Sequence, residues 1–281
     1  MSACSRIGGV PENLRFILNG REIRITLERR GPSDGALWLL LPALSTVSTR
    51  AEWHDFADAM GEGCQLVSFD WPGFGDSDRP SITYNAESLR SVLRSVLAHL
   101  QRTDHRRINV VAAGHSAPLA LGLAEECSGE WAQLVLVAPT FRGPLPTMTG
   151  RPGTDFNWVR RLVELPLVGS ILYRLNTSRV ILKLMLRRHV WVDKGLLTPQ
   201  RVRQQQRISR QPGARFASVA FVTGGLDSAP DALWWLAQTQ QLQCPLHVVL
   251  AMEAPPRSKQ EMLTLAGKAD RITEIDGRLG L

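Results

Sequence analysis

Residues Val110 to Leu123 read Val-Val-Ala-Ala-Gly-His-Ser-Ala-Pro-Leu-Ala-Leu-Gly-Leu. This is a short apolar run, a sharp turn centred on Ser116, then a small-residue helix. A serine held at a strained strand-to-helix turn has its hydroxyl pushed clear of the backbone, at the mouth of an α/β sheet. The amide after it, that of Ala117, then faces the place where an oxyanion develops. Such a serine does acyl chemistry through a covalent intermediate, provided that a histidine activates it. His115 adjoins Ser116, but neighbours at a tight turn point apart, so a supporting role suits it better than that of general base.

The other polar candidates read as structural. Asp76 and Asp78 flank the turn Gly73-Phe74-Gly75 and have no histidine spaced to share a metal with them. A phosphate-cradling loop needs a helix directly after its glycines, and Pro80 disfavours one. His247 falls within an apolar run and reads as core. No cofactor and no metal are expected. Cys4, Cys64, Cys127 and Cys244 are scattered, which fits reduced structural thiols and a cytoplasmic protein.

A serine at a strand end needs a sheet to hold it, and the flanking pattern supplies one. Leu14 to Leu18 and Glu22 to Leu27 flank Asn19-Gly20, a two-residue hairpin signal. Leu37-Trp38-Leu39-Leu40-Leu41 is a continuous apolar run, as in a strand buried on both faces. Strands are expected at Gln65–Phe69, Ile108–Ala112, Leu134–Val137, Leu246–Leu250 and Arg271–Ile275. Helices are expected at Arg50–Met60, Tyr84–Leu100, Pro118–Glu126, Asp231–Gln240 and Ser258–Ala266. Strands alternating with helices imply a mostly parallel sheet covered on both faces. The alternation breaks at Ala138, and residues 142–228 read as a helical insertion over the strand ends. The core then consists of residues 1–141 and 229–281.

The net charge of +7 is unevenly placed. From Arg142 to Arg215 there are fifteen Lys and Arg against three acids, a balance of +12 that leaves −5 for the rest of the chain. Apolar residues in this stretch (Leu162, Val163, Leu165, Leu167, Val168, Ile171, Leu172, Val180, Ile181, Leu182) alternate with Arg160, Arg161, Arg174, Arg179, Lys183, Arg187 and Arg188. Two readings fit: an interfacial surface for anionic lipid through residues 142–215, or a cap whose inner face lines an acyl pocket. The second is the plainer one. No recognition motif or aromatic platform accompanies the charge, so nucleic acid is not expected. The N-terminus lacks the pattern of a secretory signal, and no apolar run is long enough to span a bilayer.

Three blocks resemble the α/β-hydrolase superfamily, from about Leu37 onward. They are the strand end and loop Leu41-Pro42-Ala43-Leu44-Ser45, the turn Asp70-Trp71-Pro72-Gly73-Phe74-Gly75-Asp76-Ser77-Asp78, and the segment around Ser116. The wording of Pro42 to Trp53 and of Ala138 to Met148 looks most like a branch found in cyanobacteria and chloroplasts. The resemblance implies that Ser116 is the nucleophile, that the Leu44 and Ala117 amides form the oxyanion hole, and that the acid follows the strand Leu246–Leu250. Glu253 is the nearest carboxylate there, with Asp227 as a rival that caps a helix. Pro118 stands where the family's motif Gly-x-Ser-x-Gly has its last glycine, and it biases Ala117 away from the helical region. The family's histidine belongs on the loop after Arg271–Ile275, where Asp276 to Leu281 contains none. The leading expectation is therefore hydrolysis of a carboxylic ester or similar small acyl substrate through Ser116. The competing one is a catalytically impaired fold used for binding or as a scaffold.

Overall fold

A computed structural model describes residues 4–103, 105–124, 126–127, 129–189, 197–229 and 231–277. The expectations for Glu125, for the Arg188 side chain and for the loop end at 278–281 lie outside the described residues.

Eight strands form one sheet in the order β1-β2-β4-β3-β5-β6-β7-β8. They are β1 (Val10–Leu18), β2 (Arg21–Arg30), β3 (Ala36–Leu41), β4 (Cys64–Phe69), β5 (Ile108–Ala113), β6 (Trp131–Val137), β7 (Leu246–Ala251) and β8 (Arg271–Ile275). The hairpin forms where Asn19-Gly20 predicts it: Leu18 pairs with Arg21, and both turn residues have positive φ, as the preferred two-residue turn requires. The β1–β2 and β2–β4 pairs are antiparallel and the rest are parallel.

The apolar run of β3 lies between two cores. Leu37, Leu39 and Leu41 join the larger one, while Leu40, with Trp38 beside it, joins a smaller one formed with Ile7, Trp53, Ala57, Leu66 and Val111. Residues of a strand alternate faces, so only a strand buried on both sides can be apolar throughout.

The helices alternate with the strands up to β6: α1 (His54–Ala59), α2 (Ala86–Thr103) and α3 (Ala117–Leu121). The first expected helix begins as a 3-10 turn at Arg50–Trp53, capped by the Thr49 side chain. The third is shorter than expected: it ends at Leu121 with Gly122 as its C-cap, and residues 122–124 continue as turns. Between β6 and β7 come α4 (Pro144–Thr149), α5 (Asn157–Glu164), α6 (Leu167–Asn176), α7 (Arg179–His189), α8 (Pro199–Ser209), α9 (Ala214–Val222) and α10 (Ala232–Gln240). The last helix, α11 (Pro256–Ala266), connects β7 to β8. Among the described residues, no helix is long and apolar enough to cross a membrane.

Candidate functional site

The strand β5 runs out at Ala113, still extended at φ −93° and ψ 143°. The chain then reverses into a helical turn, and the residue that makes the reversal is Gly114, at φ +50°. Glycine enters that region without the steric cost a Cβ brings. His115 and Ser116 already belong to the first, 3-10, turn, and Ser116 has ordinary helical torsions of −79° and −17°. The strained apex therefore falls at Gly114, two residues before the serine expected there.

This shift decides what the serine can do. Ser116 is fully buried, and its Oγ lies 2.7 Å from the Ala113 carbonyl and 3.2 Å from the Leu41 carbonyl. The hydroxyl has one proton, and two backbone acceptors compete for it. A side chain at the apex would instead point toward the loops after β3 and β6. A Cβ on Gly114 would lie 3.1 Å from the Ala43 Cβ and 3.9 Å from the Thr140 hydroxyl. Those loops leave the carboxyl ends of parallel strands, where α/β proteins hold their ligands.

Of the two expected oxyanion donors, the Ala117 amide has a partner within its own turn. The Ala117 N–H donates to the Gly114 carbonyl and closes the 3-10 turn, so it is already committed. The amide directly after the apex is that of His115. Leu44 places its side chain in the main core, and its neighbour Ala43 donates its N–H to the Glu52 carboxylate at 3.0 Å.

Glu253 is exposed on the turn after β7, where its N–H donates to the Gly277 carbonyl at 2.9 Å. The carboxylate that reaches the turn is Asp227, whose Oδ1 lies 3.1 Å from His115 Nε2 and accepts the Gly143 N–H at 2.9 Å. Asp227 does not cap a helix; Asp231 does that for α10, accepting the Trp234 N–H. His115 is buried and packs edge-on against Phe221. Its contact with Asp227 has ion-pair distance but lacks hydrogen-bond alignment, and neither ring nitrogen has a hydrogen-bond partner.

A buried polar ring without hydrogen bonds gains little from its polarity, and an apolar side chain of similar size can replace it at little cost. His115→Leu should therefore leave unfolding free energy within about 1 kcal/mol of the parent. Urea denaturation measures it, and a loss of several kcal/mol would show that the Asp227 contact carries stability.

The glycine-rich turn is held by a buried charge network. Arg50 has a fully buried side chain that contacts Asp70, Glu28 at 3.2 Å and Asp76 at 3.3 Å. Arg6 binds Asp76 through two nitrogens at 3.0 and 3.1 Å, and Arg24 binds Asp78. The Ser77 hydroxyl donates to the Asp70 carbonyl and accepts the Thr26 N–H. Asp76 and Asp78 thus fasten the turn to β2 and to the start of the chain. His247, on β7, meets the Thr273 hydroxyl of β8 at 2.9 Å, a cross-strand contact.

Two signals in the sequence could have located the apex. The run Ile108–Ala113 fills the strand, and the next residue is the first glycine able to turn left-handed. Around that glycine, Ala112 and Ser116 are the small residues at two positions either side, as tight strand–helix packing needs. Ser116 is thus the small neighbour of the apex.

An eight-stranded, mostly parallel sheet with a tight turn after its fifth strand and helices between β6 and β7 defines the α/β-hydrolase fold. A model of the alpha/beta hydrolase family matches residues 38–276, and the chain belongs to that family. Among solved structures, it is similar to a probable hydrolytic enzyme from Pseudomonas aeruginosa PAO1, with TM-score 0.69 and 18% identity over 95% of this chain and 86% of that one. It is also similar to a meta-cleavage product hydrolase from Pseudomonas fluorescens IP01, with TM-score 0.68 and 16% identity over 95% and 90% of the two chains. The enol-lactonase from Burkholderia xenovorans LB400 superposes with TM-score 0.66 and 16% identity over 94% and 92%. No curated protein matches the chain significantly in sequence.

Proposed function

We propose that this chain is an α/β-hydrolase-fold protein that binds a small acyl compound, or serves as a scaffold, without covalent serine chemistry. The observation that carries this reading is the apex itself. Gly114 occupies the apex, from which a side chain would reach the loops after β3 and β6, and it has none. Ser116 is buried beneath it, with its proton directed to backbone carbonyls. A base cannot take that proton without first breaking those bonds.

The second reading is ester or acyl hydrolysis through Ser116, with Glu253 as the acid. It is favoured by the hydrolase descriptions of the similar structures, among them an enol-lactonase and a meta-cleavage product hydrolase.

A fluorophosphonate probe separates the two. The parent protein should label no faster than Ser116→Ala. Should any ester turnover exist, the substitution should change it less than about threefold, whereas loss of a true triad member costs up to about a million-fold. Labelling of the parent that vanishes in Ser116→Ala would overturn the binding reading.

A further inference from the structure

The helices α6 and α7 each expose an apolar row. Leu167, Ile171 and Leu175 follow one another at four-residue spacing along α6, and are 80%, 61% and 61% exposed. On α7, Val180 and Leu184 repeat that spacing at 79% and 62% exposure. Residues four apart lie on one side of a helix, so each set forms a continuous row. The plainer reading of the sequence turns Leu167, Ile171 and Val180 inward toward an acyl pocket. The structure instead buries Leu182, Leu186 and Gly169 and leaves the rows outside.

Cations flank them. On α7, Arg179, Lys183 and Arg187 form a row one residue out of step with Val180 and Leu184, about a quarter turn around the helix. Arg174 stands beside Leu175 at the end of α6. Between α7 and α8 a groove of about 300 Å³ is lined by Arg179, Arg203, Gln206, Arg207 and Arg210. Across residues 142–215 fifteen Lys and Arg stand against three acids, of which Glu164 pairs with Arg160.

We propose that the α6–α7 face seats this protein on an anionic phospholipid bilayer. The rows of Leu167 and Val180 enter the acyl boundary, and the arginine groove takes headgroup phosphates. An apolar row bordered by cations is the arrangement that lies in the plane of a bilayer surface. The charge selects lipid over a second copy of the chain, because pairing two such faces brings their arginine rows together. Each cation near an anionic surface adds to binding, and salt screens the attraction within a Debye length.

The full chain should co-sediment with vesicles of phosphatidylglycerol and phosphatidylcholine at low salt. Pure phosphatidylcholine should bind it at least about tenfold more weakly, and the anionic binding should fall steeply toward physiological ionic strength. Ile171→Glu combined with Leu175→Glu should weaken binding by about thirtyfold or more, since two buried apolar side chains are lost. Arg203→Glu with Arg207→Glu should abolish the preference for anionic lipid. Leu233→Glu, at an exposed leucine on α10, should change nothing. Failure to bind anionic vesicles at low salt overturns the proposal. So does binding indifferent to the α6 substitutions. Sedimentation velocity adds a third test: a dimer that dissociates in the α6 variant, without vesicle binding, would make the face an interface between copies.

Discussion

Replacing Arg50 by methionine should destabilise the protein by about 3–5 kcal/mol, a large share of the 5–15 kcal/mol that holds a typical domain folded. The guanidinium and the carboxylates of Glu28 and Asp70 are all fully buried. Removing the cation leaves two anions in a low-dielectric interior, where the desolvation penalty is no longer offset. Glu28 keeps the N–H groups of Arg6, Ile7 and Gly9, so Asp70 bears most of the loss. Burial pushes the Asp70 carboxyl up to about 6, against the pull of Arg50. A raised folded-state pKa favours the native protein when the group is protonated, and that advantage fades as pH climbs through the folded value. Without Arg50 the pKa rises further, so Arg50→Met should be less destabilising near pH 5 than at pH 8. Adding Asp70→Asn should restore part of the stability at pH 8. Urea titrations at the two pH values check this. A loss below about 1 kcal/mol, or one insensitive to pH, would mean that the network is not what holds the turn.

Gly75→Ala should be nearly as severe for a different reason. At Gly75 φ is +51°, and a Cβ there would lie 2.0 Å from Asp70 Cγ. The left-handed backbone costs a residue with a Cβ about 1–2 kcal/mol. Forcing the carboxylate aside adds overpacking of about 1–3 kcal/mol, and displaces Asp70 from Arg50 and from the Asp76 N–H it accepts at 2.7 Å. The total should reach about 3 kcal/mol or more. Gly20 provides the control, since its φ is +74° but nothing lies within 4 Å of its would-be Cβ. Gly20→Ala should therefore cost only the backbone strain. Thermal unfolding of the two variants side by side decides it: equal losses would remove the steric argument.

The same network explains the turn Asp70 to Asp78. Asp70, Asp76 and Gly75 are where they are because one buried arginine, twenty residues before Asp70 in sequence, needs carboxylates around it and no side chain in the way of Asp70. Asp78 answers instead to Arg24, and Gly73 makes room for Ala217 and Tyr84. Nothing in the pattern around Arg50 announces this. The residue sits in the first turn of an expected helix, where a basic side chain is ordinarily solvated.

The sheet was legible from local chemistry. Short unbroken apolar runs such as Leu37–Leu41 suit strands covered on both sides, and Asn19-Gly20 can take the positive φ values a tight hairpin demands. These properties belong to a few adjacent residues, so the sequence alone determines them. The family also follows from sequence, because the three blocks carrying it are local turns.

What the tertiary structure decided is position to within two residues and one face. Whether the apex falls at Gly114 or at Ser116 depends on where β5 ends, and its pairing with β3 and β6 fixes that through Ala112 and Ala113. A shift of two residues converts a poised hydroxyl into a buried one. Likewise, the amphipathic pattern of α6 gives the helix but not the side it presents, since an apolar row is equally suited to a core or to an external surface. Which elements pack beside it sets the answer, and that depends on contacts between residues far apart in the chain.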